Sequence, residues 1–105
     1  MEQITVHELK AKLDNKEKFI LLDVREPEEF EMCHIQGSIL IPLSEFEDHL
    51  KDFKKDGVYI VHCKSGERSV EAIQMMQDHG FENCTTVEGG ILEWADSIER
   101  HMEKY

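Results

Sequence analysis

The chain has 105 residues, a length that suits one domain spanning residues 1–105, because two cores of half that size would not stand alone. Its formal net charge of -11, from 23 acidic against 12 basic side chains, excludes a nucleic-acid partner, which would need a basic face to meet the phosphate backbone. A composition of 40% hydrophobic and 33% charged residues, with few Gly and Pro, is that of a folded chain and excludes a disordered one.

Cys33, Cys63 and Cys84 are odd in number and widely spaced, whereas a disulfide-stapled secreted domain would carry an even and denser set. The opening Met-Glu-Gln-Ile-Thr has neither a basic leader nor an apolar run, and no apolar stretch approaches the ~18 residues of a membrane span. These features predict a soluble protein of a reducing compartment, the cytoplasm, with no membrane partner.

In chain order, residues 3–5 form a weak strand candidate, and Thr5 with Glu8 forms a capping box that starts a helix. Residues 19–24 are a continuous apolar run, the pattern of a strand buried on both faces. Pro27 opens a short helix through Met32, at a position where its missing N–H costs nothing. Residues 39–43 make a second buried strand, and Ser44 with Glu47 predicts a capping box for the next helix. Residues 58–63 make the third buried strand. A helix over residues 68–79 follows, with Val70, Ile73 and Met76 on one face and Gly80 at its end. Residues 85–87 are a weaker strand, and Ile91, Trp94, Ala95, Ile98 and Met102 recur at helical spacing. Strands alternate with helices, so the expected fold is α/β, with a mainly parallel central sheet of about five strands and helices on both faces. In such sheets ligands bind beyond the carboxyl ends of the strands.

Residues 58–70, Val-Tyr-Ile-Val-His-Cys-Lys-Ser-Gly-Glu-Arg-Ser-Val, carry the chemistry. A buried strand ends on Cys63, a short polar loop follows, and a helix begins near Arg68. That order places the sulfur within a ring of backbone N–H groups at a helix N-terminus, where oriented donors and roughly half a unit of positive dipole charge stabilise an anion. Lys64 and Arg68 are expected to add positive potential in favour of the thiolate, the nucleophilic form of a cysteine. Gly66 lets the loop curl without a Cβ clash. The plainer alternative is a buried structural cysteine closing a strand; a glycine and two cations directly after it weigh against that.

Four segments together resemble the signature blocks of the rhodanese domain family. They are Leu22-Asp23-Val24-Arg25-Glu26-Pro27-Glu28-Glu29-Phe30, His34-Ile35-Gln36-Gly37-Ser38, the loop from Cys63 to Arg68, and Gly89-Gly90-Ile91-Leu92-Glu93-Trp94. The similarity covers nearly the whole chain. It is greatest to the single rhodanese domains of E1-like adenylyltransferases, which supply sulfur to ubiquitin-like carriers in molybdopterin and thiamine biosynthesis. The resemblance implies a sulfurtransferase in which Cys63 takes the outer sulfur of thiosulfate or of a protein persulfide. Residues Lys64, Ser65, Gly66, Glu67, Arg68 and Ser69 would form the substrate-binding loop, with no metal or organic cofactor. It further implies a ubiquitin-like sulfur carrier or a thioredoxin-like protein as acceptor. The similar phosphatase loop has five residues between cysteine and arginine; here four separate Cys63 from Arg68, a smaller ring suited to a sulfur atom, so a phosphatase is the weaker alternative. A second alternative is a rhodanese-like module that binds or presents a persulfide without turnover; an intact Cys63 favours the enzyme.

Asp23 and Arg25 match family positions beneath the loop, which implies that they support its conformation; an ion pair with the acidic cluster of residues 26–31 is the competing reading. Cys33 and His34 lack the further ligands that a metal site would need. His62 alternates with Cys63 along the strand and points to the opposite face, which suits a packed or hydrogen-bonded core histidine better than a general base. Trp94 fits core packing, and Cys84 at a strand start fits an inert thiol. Glu67 is the departure from the family pattern. A carboxylate beside an anion-binding loop opposes small anionic donors, so a persulfide-bearing protein is the more attractive donor.

Overall fold

The computed structural model describes residues 2–105. Its five strands, β1 (Glu2–Ile4), β2 (Ile20–Asp23), β3 (Ile39–Leu40), β4 (Tyr59–His62) and β5 (Cys84–Val87), form one sheet in the order β1-β5-β4-β2-β3, and every pair is parallel. Parallel neighbours need crossovers, and the helices α1 (Val6–Asp14), α2 (Pro27–Met32), α3 (Leu43–His49), α4 (Glu67–Asp78) and α5 (Gly90–Ser97) lie in them or after them.

The alternation of side chains along each strand splits the core into two layers. Leu22 and Val61 pack with Phe46 of α3 and Ala72, Ile73 and Met76 of α4. Leu21 and Ile60 face the other way, against Val6 and Leu9 of α1 and Ile91 and Trp94 of α5. β4 is buried along its whole length. That explains a continuous apolar run in place of an alternating one. Among the described residues no helix is long and apolar enough to cross a membrane.

The capping box at Thr5 is present: the Glu8 N–H donates to Thr5 Oγ1 at 3.1 Å and the Thr5 N–H donates to Glu8 Oε1 at 2.9 Å. Three other expectations are corrected. The strand expected over 39–43 contracts to Ile39–Leu40. Ile41 and Leu43 still donate to the exit of β2, but Pro42 between them has no N–H to give. The predicted capping box of Ser44 and Glu47 is absent, since α3 starts at Leu43 with Pro42 as its N-cap and no side-chain cap. Val70 is 43% exposed, and the inward face of α4 is Ser69, Ala72, Ile73 and Met76. These four are an i, i+3, i+4, i+7 set that shares one face, whereas Val70 stands about 100° around the helix from Ser69 and off that face.

The strand exits of β2 and β4 lie side by side, with Asp23 opposite His62 in the register. This adjacency brings the segment after β2 next to the loop after β4.

Candidate active site

Cys63 directly follows the last residue of β4 and has only 1% of its surface exposed. Its Sγ accepts hydrogen bonds from the Gly66 N–H at 3.1 Å and the Ser69 N–H at 3.4 Å. Ser69 is the third residue of α4, so the sulfur sits at the helix N-terminus, where the first N–H groups have no intrahelical acceptor. Such a helix end presents N–H donors and partial positive charge to an anion placed there. Gly66, at φ +133°, allows the chain to close around the sulfur, a backbone conformation that a residue with a Cβ adopts only under strain.

The outer side of the loop is fixed by α5. The Ile91 N–H donates to the Cys63 carbonyl at 3.0 Å and the Leu92 N–H to the Lys64 carbonyl at 3.2 Å. These bonds hold the carbonyls away from the sulfur and leave the N–H side of the loop facing it. Gly90 makes the approach possible, because a Cβ there would stand 2.5 Å from the Lys64 oxygen and 2.6 Å from the Cys63 oxygen. Beneath the loop, the Ser69 hydroxyl donates to the Gly66 carbonyl at 3.0 Å and pairs with Thr86 Oγ1 at 2.8 Å, tying α4 to β5.

The cations expected to face the sulfur are both engaged. Arg68 forms a bidentate pair with Glu29, Nη1 to Oε1 at 2.6 Å and Nη2 to Oε2 at 2.9 Å. Glu29 also accepts from the Glu26 N–H at 2.8 Å and the Tyr105 hydroxyl at 2.8 Å. The Arg68 bonds, only partly opposed by burial and reinforced by these other donors, hold the Glu29 carboxyl down at about 2. The same pairing raises Arg68 above the ordinary arginine range. Lys64 Nζ lies 4.5 Å from the centre of the Tyr105 ring, a cation–π distance.

Asp23 and Arg25 pair with each other inside the protein, both fully buried, with Arg25 Nη2 2.7 Å from Asp23 Oδ2 and Arg25 Nε 3.0 Å from Oδ1. The remaining donors of Arg25 reach the Cys33 carbonyl at 2.8 Å, the Glu29 carbonyl at 3.3 Å and the Tyr105 hydroxyl at 2.8 Å. Burial works against the charged guanidinium, but the bonds to Asp23 and Tyr105 outweigh it and raise its pKa. The pair therefore reaches the loop at one remove. It fixes the backbone around α2 and the Tyr105 hydroxyl, and these in turn hold Glu29, which holds Arg68.

His62 is fully buried with neither ring nitrogen hydrogen-bonded, its Nε2 3.8 Å from Asp23 Oδ2, and burial lowers its pKa. It is packed, not hydrogen-bonded. His34 stacks on Phe30 at 4.0 Å between ring centres and bonds the Phe30 carbonyl through Nδ1. Cys84 is buried, which pushes its thiol up to about 11.

The structure thus brings Cys63, Gly66 and Ser69 together, leaves Ser65 and Glu67 exposed, and turns Lys64 and Arg68 to other partners. Glu29, Thr86 and Tyr105 are parts of the site that the sequence did not single out, as is the contact of Gly90 with the loop carbonyls. For Glu29 the signal was its place in the first signature block, in an acidic helix turn next to a strand exit. For Tyr105 there was none, since its hydrogen-bond partners lie 76 and 80 residues away in sequence.

The chain matches the Rhodanese-like domain family over residues 5–97. It is 36% identical over 104 residues to MoeZ of Mycobacterium tuberculosis, which carries the provisional name of an adenylyltransferase/sulfurtransferase; the match covers 97% of this chain and 26% of MoeZ. It is 38% identical over 98 residues to YrkF of Bacillus subtilis, provisionally named a sulfur carrier protein, covering 92% of this chain and 52% of YrkF. The chain therefore spans about a quarter and about half of these two relatives. Among solved structures, SSP1007 of Staphylococcus saprophyticus superposes with a TM-score of 0.85 at 37% identity, over 93% of this chain and 97% of that one.

Proposed function

The chain belongs to the rhodanese-like domain family, and on that premise we propose that it is a sulfurtransferase that carries sulfane sulfur as a persulfide on Cys63. The observation that carries this reading is the position of Cys63 Sγ, which accepts N–H bonds from Gly66 and Ser69 at the N-terminus of α4. A thiolate held there attacks the outer sulfur of a donor, thiosulfate or a persulfide. With a persulfide anion, Cys63–S⁻ + R–S–S⁻ gives Cys63–S–S⁻ + R–S⁻: a new sulfur–sulfur bond forms, the donor's breaks, and its electron pair leaves on the donor thiolate. With thiosulfate the leaving group is sulfite. A thiolate acceptor reverses the sequence and regenerates Cys63.

The transferred sulfur stands about 2 Å beyond Sγ, the length of a sulfur–sulfur bond. That brings it out of a position where Cys63 itself is nearly inaccessible, and toward the loop opening. The N–H groups of Glu67 and Arg68, the first two of α4, point out of the same helix end and suit a terminal sulfur anion. The names of MoeZ and YrkF, a sulfurtransferase and a sulfur carrier protein, support a role in sulfur relay; the acceptor in this reading is a sulfur carrier protein or a thioredoxin-like thiol. A cysteine that must return to its thiolate after each turnover suits a reducing compartment such as the cytoplasm.

Intact-mass measurement after incubation with thiosulfate, and separately with cysteine persulfide, tests the reading. One added sulfur is expected in the wild type, in Cys33→Ser and in Cys84→Ser, and none in Cys63→Ser. Subsequent addition of a thiol acceptor should remove it. An adduct retained in Cys63→Ser overturns the assignment, and an adduct that no thiol acceptor discharges makes the protein a persulfide-binding module without turnover.

A further inference from the structure

Both cations adjacent to the reactive cysteine are already committed. The guanidinium of Arg68 is held face to face with Glu29 by two hydrogen bonds, and Lys64 Nζ rests over the Tyr105 ring. Glu29 is in turn fixed by the Glu26 N–H and the Tyr105 hydroxyl, so all its hydrogen bonds restrain it in the position that meets Arg68. Arg68 also lines a cleft of about 480 Å³ whose other charged walls are Glu26, Glu47 and Glu71. Any anion approaching Arg68 from that side meets carboxylates first.

The chemistry of the transfer makes this arrangement selective. Attack of a thiolate on thiosulfate gathers three negative charges in one transition state, Cys63–S⁻ + ⁻S–SO₃⁻ giving Cys63–S–S⁻ + SO₃²⁻. Attack on a persulfide anion gathers two. The extra charge needs an uncommitted cation at the loop, since backbone N–H groups and a helix end supply only partial charges. Resting on the sulfur-transfer reading above, we propose that Glu29 is the residue that determines donor choice: by neutralising Arg68 it favours persulfides over inorganic thiosulfate. Glu29 acts through Arg68 and touches no substrate, so it is a positioning residue.

The test is donor competition. Rates of Cys63 persulfide formation from thiosulfate and from cysteine persulfide give a selectivity ratio for each protein. Glu29→Gln, which frees Arg68 while keeping side-chain size, is expected to raise the thiosulfate-to-persulfide ratio by roughly five- to tenfold at low ionic strength, and salt should erode that gain. In an Arg68→Gln background the same substitution should leave the ratio where it was, because no guanidinium remains to be released. A ratio unaltered by Glu29→Gln, or a gain that persists without Arg68, overturns the proposal. The wild type supplies a check that needs no variant: its thiosulfate rate should rise with ionic strength, and a rate that falls means a free cation already faces the donor and the proposal is wrong. If neither donor forms a Cys63 adduct, the sulfur-transfer reading fails and this proposal falls with it; adducts from both donors with an unaltered ratio defeat this proposal alone.

Discussion

Gly90 is pressed against the backbone of Cys63: a Cβ on it would stand 2.6 Å from the Cys63 carbonyl oxygen. Two helices therefore converge on one cysteine, the start of α4 and its N-cap Gly66 offering N–H groups to its sulfur and α5 offering N–H groups to its carbonyl and the next.

The first prediction follows from this contact. Gly90 sits at φ +57°, so alanine there bears both the left-handed backbone cost of about 1–2 kcal/mol and an overlap with backbone oxygens that cannot swing away. Gly90→Ala should lower stability by at least about 2 kcal/mol and displace the loop carbonyls. Thermal unfolding together with persulfide yield per folded molecule should show both losses. Loss of stability alone would mean the α5 contact does not shape the loop.

The buried Asp23–Arg25 pair should be the most sensitive polar feature of the fold. Arg25→Ala would strand a fully buried carboxylate and release the Cys33 and Glu29 carbonyls, a change expected to cost about 3–5 kcal/mol. For a domain of this size that corresponds to a fall in Tm on the order of 12–40 °C. Tyr105→Phe removes one hydroxyl shared by Arg25 and Glu29 and should cost only about 1 kcal/mol. Calorimetry on the two variants checks the order; a milder Arg25→Ala than Tyr105→Phe would contradict it.

Glu29 gives the protein a defined acid limb. Its pKa falls from the ordinary 4.5 to about 2 in the folded state. A group whose folded value is depressed adds stability that is complete above the unfolded value and is lost as pH drops through the folded one. Stability should therefore decline between about pH 4.5 and 2, with up to about 3 kcal/mol of it assigned to Glu29. Because Arg68 is 32% exposed, solvent screening should bring that figure down. Denaturant titrations at stepped pH should show a shallower decline in Glu29→Gln. Parallel acid limbs in the two proteins would refute the assignment.

Glu67 is exposed at the first position of α4, where a carboxylate favours the helix dipole and opposes an incoming anion. Glu67→Gln should therefore cost the helix about 0.3–1 kcal/mol while speeding attack on thiosulfate, most clearly at low ionic strength. A protein persulfide with a basic face should react more slowly with the variant. Sulfite-release rates across a salt series decide the matter; unchanged thiosulfate kinetics at every salt concentration would show that the carboxylate faces away from the loop.

The sequence by itself determined the α/β class, the parallel sheet, Cys63 at a strand exit and the loop that follows, because each is written in local order. Continuous apolar runs call for burial on both faces, and an apolar run leading into Cys63, with Gly66 three residues later and a helical pattern beyond it, is the order of a tight turn from strand into helix. The tertiary structure alone decided which charges reach the sulfur. Arg68 and Glu29 are 39 residues apart, and Tyr105 meets Glu29 across 76. Such pairings depend on β2 lying beside β4 in the sheet, a distance that periodicity and capping signals do not encode. Read in sequence, Arg68 is a cation next to a cysteine; in the folded chain its charge is held by Glu29, because the exits of two adjacent parallel strands place α2 against the start of α4.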